Sequence, residues 1–227
     1  RRSVGDRVPG TLYLPPSAAV DRMVLLAHGV GRAGLLDRYG GPGEVIRALL
    51  GAGYGVLALD MHYTGVVPAD ALPRRDQDWF WATFNPPLLG ARVQDLLTAI
   101  GYFAGQKGLA SLTIIGLGGA GPCALVAAAL SLVPSRVGVD LQAMPWDEDT
   151  AYLGECYAPV WRAYGGLPVA SALVAPRLML LGNTAHRFPL RWARAAYSAV
   201  GALHKLTEVP EPLDSKALSA WLGGPRG

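Results

Sequence analysis

The sequence predicts an α/β chain, a mostly parallel central sheet with helices on both faces, and three observations carry that prediction. Apolar runs end abruptly in a polar residue or a glycine. Segments of helical spacing separate those runs, so strands and helices alternate along the chain. Hydrophobic residues make up 51% of the 227 and charged residues only 16%, a balance that excludes disorder and suits strands buried on both faces. That length fills one hydrophobic core, and residues 1–227 read as a single domain, or as one module of a longer protein, with no internal repeat or linker.

Thr11 to Pro15 alternates as a short first strand, closed by Pro15-Pro16, which cannot extend a ladder. Met23 to Ala27 is a second strand running into His28-Gly29. Tyr54 to Leu59 is a third, ending at Asp60, and Leu112 to Ile115 a fourth, ending in a glycine-rich turn. Helical spacing covers residues 43–52, 88–104 and 122–132, and Pro122 falls in the first turn of the last, where its missing N–H costs nothing. A strand from Arg136 to Leu141 leads into a long excursion, containing Pro, Trp and Tyr, that lasts to about Pro176. A strand at 178–181, a helix at 191–200, a strand at 204–209 and a helix at 215–222 complete the alternation. In such a sheet ligands bind beyond the carboxyl ends of the strands, which directs attention to residues 27–34, 60–65, 116–121, 140–149 and 182–187.

The net charge of +3 comes from scattered residues, with only Arg1-Arg2 and Arg74-Arg75 as tight basic pairs. No basic stripe for nucleic acid is visible, and the preference for Arg over Lys (Lys107, Lys205 and Lys216 are the only lysines) reads as coding bias. Cys123 and Cys156 give neither a disulfide framework nor a zinc spacing. No apolar run is long enough to span a membrane, and no membrane or nucleic-acid partner is expected. The chain begins at Arg1, with no charged segment leading into an apolar core, so a trimmed or processed piece is expected.

The fourth strand ends in Gly116-Leu117-Gly118-Gly119-Ala120-Gly121. With the strand Val8-Pro9-Gly10-Thr11-Leu12-Tyr13-Leu14-Pro15, the strand end His28-Gly29-Val30-Gly31 and the strand Gly53 to Asp60, this turn resembles the α/β-hydrolase superfamily. Within it the match is to dienelactone-hydrolase-like and acetyl-xylan-esterase-like proteins, and it covers most of the chain. The resemblance implies an α/β-hydrolase fold and a nucleophile elbow, a sharp strand-to-helix turn whose small residues let one hydroxyl project above the sheet. Aligned on Gly116, Ala120-Gly121 and Ala124-Leu125, the family's nucleophile position falls on Gly118, which has no side chain. The family's acid position, after Leu180-Leu181-Gly182, holds Asn183-Thr184-Ala185-His186, and its base position, after the last strand, holds Pro210-Glu211-Pro212-Leu213-Asp214. Asp140, after the preceding strand, fills an alternative acid position, but an acid with neither base nor nucleophile has no triad function. The oxyanion hole is the part expected to survive, with backbone N–H groups from the His28-Gly29-Val30 loop and from Gly119, reinforced by the helix start at Gly121-Pro122.

Other residues carry weaker signals. His28 is a candidate to line the pocket, although the resemblance favours a structural histidine that fixes the loop. His62, two residues past Asp60, could be oriented by that carboxylate or activate water, against the plainer reading of a hydrogen-bonded loop residue. His186 lies one residue past the expected acid position, and His204 starts a predicted strand. Cys123 reads as a buried thiol, and Cys156 as one that could be exposed but has no adjacent base. Asp147, Glu148 and Asp149 point in different directions, so a solvated turn is favoured over a metal site, and neither metal nor cofactor is expected. The aromatic groups Trp79-Phe80-Trp81 and Tyr152, Tyr157, Trp161 and Tyr164 read as lid-to-body packing, with sugar or aryl stacking as the alternative. Tyr164-Gly165-Gly166-Leu167-Pro168 resembles sequences in carbohydrate-esterase-like proteins, where it implies an accessory module.

Three functions compete at this point. The first is a degenerate hydrolase-fold module that binds a small ester, carboxylate or carbohydrate, or supports a partner domain. The second is an active carboxyl-ester hydrolase using His62 or His186, and the third a structural or interaction module with an occluded cleft. A secreted or periplasmic setting follows from the carbohydrate-esterase resemblance alone.

Overall fold

The computed structural model describes residues 7–16, 20–65, 84–153 and 156–223. The triplet Trp79-Phe80-Trp81 and both tight arginine pairs lie outside the described residues. Seven strands, β1 (Gly10–Tyr13), β2 (Arg22–His28), β3 (Gly55–Leu59), β4 (Ser111–Leu117), β5 (Arg136–Asp140), β6 (Leu178–Gly182) and β7 (Leu206–Glu208), form one sheet in the order β1-β3-β2-β4-β5-β6-β7. Only β1 is antiparallel to its neighbour; the other pairs are parallel. Among the described residues six α-helices cover it: α1 (Glu44–Gly51), α2 (Leu88–Ala104), α3 (Gly121–Leu130), α4 (Gly166–Ala172), α5 (Arg191–Ala199) and α6 (Ser215–Gly223).

Two cores sandwich the sheet, divided by strand periodicity. Met23, Leu25 and Ala27 of β2 join one core with residues of α2, α3, α4 and α5, whereas Val24 and Leu26 join the other with Ile46 and Leu49 of α1 and Leu218 and Trp221 of α6. Because successive side chains serve opposite cores, no residue of Met23–Ala27 is polar, which is why the strand was visible as an unbroken apolar run. Truncating Leu25, fully buried, to Ala would cost about 2–5 kcal/mol.

Two expectations need correcting. The long excursion to Pro176 contains α4, which lacks amphipathic spacing because Gly166, Leu167, Pro168, Ala170 and Ser171 are all buried. His204 does not start a strand: it is exposed in a short 3₁₀ turn, Leu203–Lys205, and β7 begins only at Leu206.

The feature that positions the site is the start of α3. A Cβ at Gly121 would collide with the carbonyl oxygen of Asp140, and one at Gly116 would stand 2.6 Å from the Ala120 carbonyl oxygen. These two glycines let the turn fold back tightly and let α3 press against the end of β5.

Candidate functional site

Between those two glycines, Gly118 behaves differently. Its φ of 54° puts it in the left-handed region, yet a Cβ built there meets nothing within 4 Å except His28, with Nε2 at 3.9 Å and Cε1 at 4.0 Å. The turn has room for a side chain at its tip, and that side chain would point at the His28 imidazole.

His28 ends β2, and its ring is fixed from two sides. The Val30 N–H donates to Nδ1 at 3.2 Å, and a Cβ at Gly34 would collide with the ring, so the imidazole lies against that glycine. With Nδ1 accepting, the proton of the neutral ring sits on Nε2, the atom that faces Gly118. Burial lowers the His28 pKa below its usual value, and the negative charge of Asp140 opposes that shift only in part. His28 is therefore a neutral donor at pH 7.

This arrangement revises the expected oxyanion loop. The Val30 N–H is committed to His28, the Gly29 N–H donates to the Leu117 carbonyl at 3.0 Å, and the Gly31 N–H donates to the His28 carbonyl at 2.9 Å. All three turn inward because the loop closes around its own histidine. A Cβ at Gly29 would lie 2.6 Å from the Gly119 nitrogen, so the two loops touch backbone to backbone at the helix start, where first-turn N–H groups have no intrahelical acceptor. His28, expected at the site with its loop, presents its side-chain Nε2–H there rather than its backbone N–H. Only the Val30–Nδ1 bond reveals it, and nothing in the sequence signals that bond.

Asp140, buried at the end of β5, accepts from the Gln142 N–H at 2.8 Å and from Asn183 Nδ2 at 2.9 Å through the same Oδ1. It ties the loops after β5 and β6 together. Gln142, Ala143, Asn183, Ala185 and His186 all have positive φ in those loops, a concentration of backbone strain at the carboxyl end of the sheet.

The two other histidine candidates stand apart from this cluster. His62 is anchored through its main chain, with its N–H donating to Asp95 at 2.7 Å and its carbonyl accepting from Arg92 at 3.1 Å, while its exposed ring meets Tyr63 edge-on at 4.4 Å. Asp60 does not orient it. That buried carboxylate is taken by Arg32, whose N–H, Nε and NH2 approach it at 2.7, 3.0 and 2.9 Å, and Arg32 also donates to Thr11 at 2.6 Å. Gly31 and Gly65 press against the same carboxylate so closely that a Cβ on either would overlap it. His186 is 76% exposed, with Nδ1 3.9 Å from Glu208, which also accepts from Thr184 Oγ1 and faces Arg194. Its ring is directed to β7 at the sheet edge.

Cys156, read as a thiol that could be exposed, is buried, as is Cys123. Asp147, Glu148 and Asp149 are exposed, and among the described residues no group of three or more His, Cys, Asp or Glu could hold a metal ion. Tyr152 packs edge-on between Trp146 and Trp161, donates to the Trp146 carbonyl at 2.7 Å and accepts from the Leu167 N–H, so this part of the excursion is packing. Tyr164 is exposed.

The sheet order, the parallel strands and the tight turn before α3 define an α/β-hydrolase fold. Solved structures agree, with 504 chains matching. A structure from Bacteroides fragilis assigned as an acetyl xylan esterase superposes with a TM-score of 0.67 at 16% identity, covering 88% of this chain but 61% of its own. Dienelactone hydrolase from Anabaena variabilis gives 0.53 at 21% identity over 97% and 93% of the two chains, and the Butyrivibrio proteoclasticus protein Est1E, solved with ferulic acid bound, gives 0.54 at 13% over 94% and 91%. No protein-family model and no curated protein sequence matches the chain.

Proposed function

We propose that this chain is a hydrolase-fold module that holds a carbonyl or carboxylate oxygen above Gly118 and does not cleave the ligand. One observation carries the reading: the turn has an open side-chain position, aimed at a neutral imidazole N–H, and the residue occupying it is glycine. Acyl transfer to the protein needs a nucleophile at the tip and a base to activate it. Gly118 supplies no atom for the bond, and His28 presents a donor rather than a lone pair at the facing nitrogen. The same geometry suits binding. His28 Nε2–H and the Gly119 N–H border the space left by the missing side chain, and the positive end of α3 favours negative charge there. Acetylated or feruloylated carbohydrate fragments and their free acids are the ligand class, by analogy with the esterases of this fold.

Ligand-observed NMR with acetate and ferulate, beside a p-nitrophenyl acetate assay, tests the proposal. Saturable binding lost in His28→Ala, with turnover no greater than that of the variant, is the expected result. Robust turnover abolished by His62→Ala or His186→Ala would replace this reading with an active hydrolase.

A further inference from the structure

At the opposite edge of the sheet lies a cavity of about 730 Å³, within the size range of small-molecule sites. Its cations come from four separated parts of the sequence. Arg22 opens β2, Arg136 opens β5, Arg177 precedes β6, and Lys205 precedes β7. Parallel strands start at one edge, so residues that stand just before them collect there.

Among the described residues, none of these cations is paired with a carboxylate, and no Asp or Glu lines the cavity. They bond main-chain carbonyls instead. Arg22 donates to Ala52 after α1 and stacks on the Tyr54 ring at 4.5 Å, and Arg136 donates to Leu222 near the end of α6. Arg177 spends its donors on the carbonyls of Ala128, Ser131 and Pro134 around the end of α3 and of Leu173 and Val174 just after α4. Four helix ends, those of α1, α3, α4 and α6, contribute together roughly −2 charges, about half of what the four side chains carry. The remainder is positive and half-buried, an environment that already holds the Arg177 guanidinium below its usual range through burial.

Donors remain for a ligand. Among the described residues, one guanidinium nitrogen each of Arg22 and Arg136 is used, and the Lys205 ammonium has no acceptor. Tyr54, Leu178 and Leu222 add an apolar wall.

We propose that this cavity is a second binding site, separate from the cleft, for a small organic phosphate whose charge is balanced by Arg22, Arg136 and Lys205 and whose organic part lies against the apolar wall. The probes are phenyl phosphate, phenyl sulfate and a long sulfated polysaccharide, titrated calorimetrically at low salt into the full chain and into Lys205→Ala, Lys205→Glu and His28→Ala. Among the described residues Lys205 makes no side-chain bond, so its variants should keep the fold, which circular dichroism verifies. Phenyl phosphate should bind saturably, about tenfold more weakly in Lys205→Ala and not measurably in Lys205→Glu, with His28→Ala unchanged. Phenyl sulfate, with one charge fewer, should bind more weakly. Absence of saturable binding at millimolar phenyl phosphate, indifference to both Lys205 variants, tighter binding of the sulfate, or binding of the polysaccharide alone would each overturn the proposal.

Discussion

Restoring a hydroxyl at the tip of the turn tests the reading of the cleft most directly. In Gly118→Ser, Cβ would stand 3.9 Å from His28 Nε2, and an Oγ one bond further can reach hydrogen-bond distance of about 3 Å. The left-handed backbone at φ 54° would cost about 1–2 kcal/mol in a residue with a Cβ, which lowers Tm by roughly 2–8 °C for a chain of this size. The imidazole, however, would donate to the new hydroxyl. To accept its proton, His28 must move its own proton to Nδ1 and lose the Val30 bond, worth about 1 kcal/mol, and its lowered pKa makes it a weak base. Gly118→Ser should therefore fold, melt a few degrees lower, and show no acyl-enzyme burst with p-nitrophenyl acetate near neutral pH. A burst that disappears in Gly118→Ser/His28→Ala would refute the proton assignment and make His28 a base.

Further outcomes follow from the same contacts. Gly121→Ala sets a methyl against the Asp140 carbonyl, and because both partners are backbone the chain should fail to give a cooperative melt. Asp60→Asn weakens the grip on Arg32, and since Arg32 is 26% exposed the loss should be about 2 kcal/mol rather than the 3–5 of a fully buried pair, read by urea denaturation. His28 has a folded-state pKa below its unfolded value of 6.5, so the unfolded chain takes up the proton first as pH falls. Its contribution is fully present above 6.5 and is lost from there down to the lowered value. The wild type should lose more stability than His28→Asn over that window.

Most of the sheet was legible because parallel strands covered on both faces are mostly apolar along their length, so Met23–Ala27 and Leu178–Leu181 stand out without help from neighbours. The helix α4 was not legible, since a helix buried nearly all round has no polar face to set a period. The resemblance placed the tip of the turn at Gly118, where the structure has a positive φ and room for a side chain. The bonds around it were not legible, because Arg32 and Asp60 are 28 residues apart and the Val30 N–H has several acceptors open to it in sequence. The four cations at the far edge looked like scatter for the same reason: their common feature, standing before a parallel strand, has meaning only once the strand order is known.

The glycines at 116 and 121 are required by collision, whatever chemistry the turn performs or has lost. Packing thus fixes the frame of the turn by collision, whereas at its centre only the left-handed backbone, and no neighbouring atom, resists a side chain. A motif search written around a hydroxyl between two small residues passes over such chains. One written around the forbidden methyl groups, with a histidine at the end of the neighbouring strand, would gather the catalytic and the silent versions together and let the residue at the tip sort them.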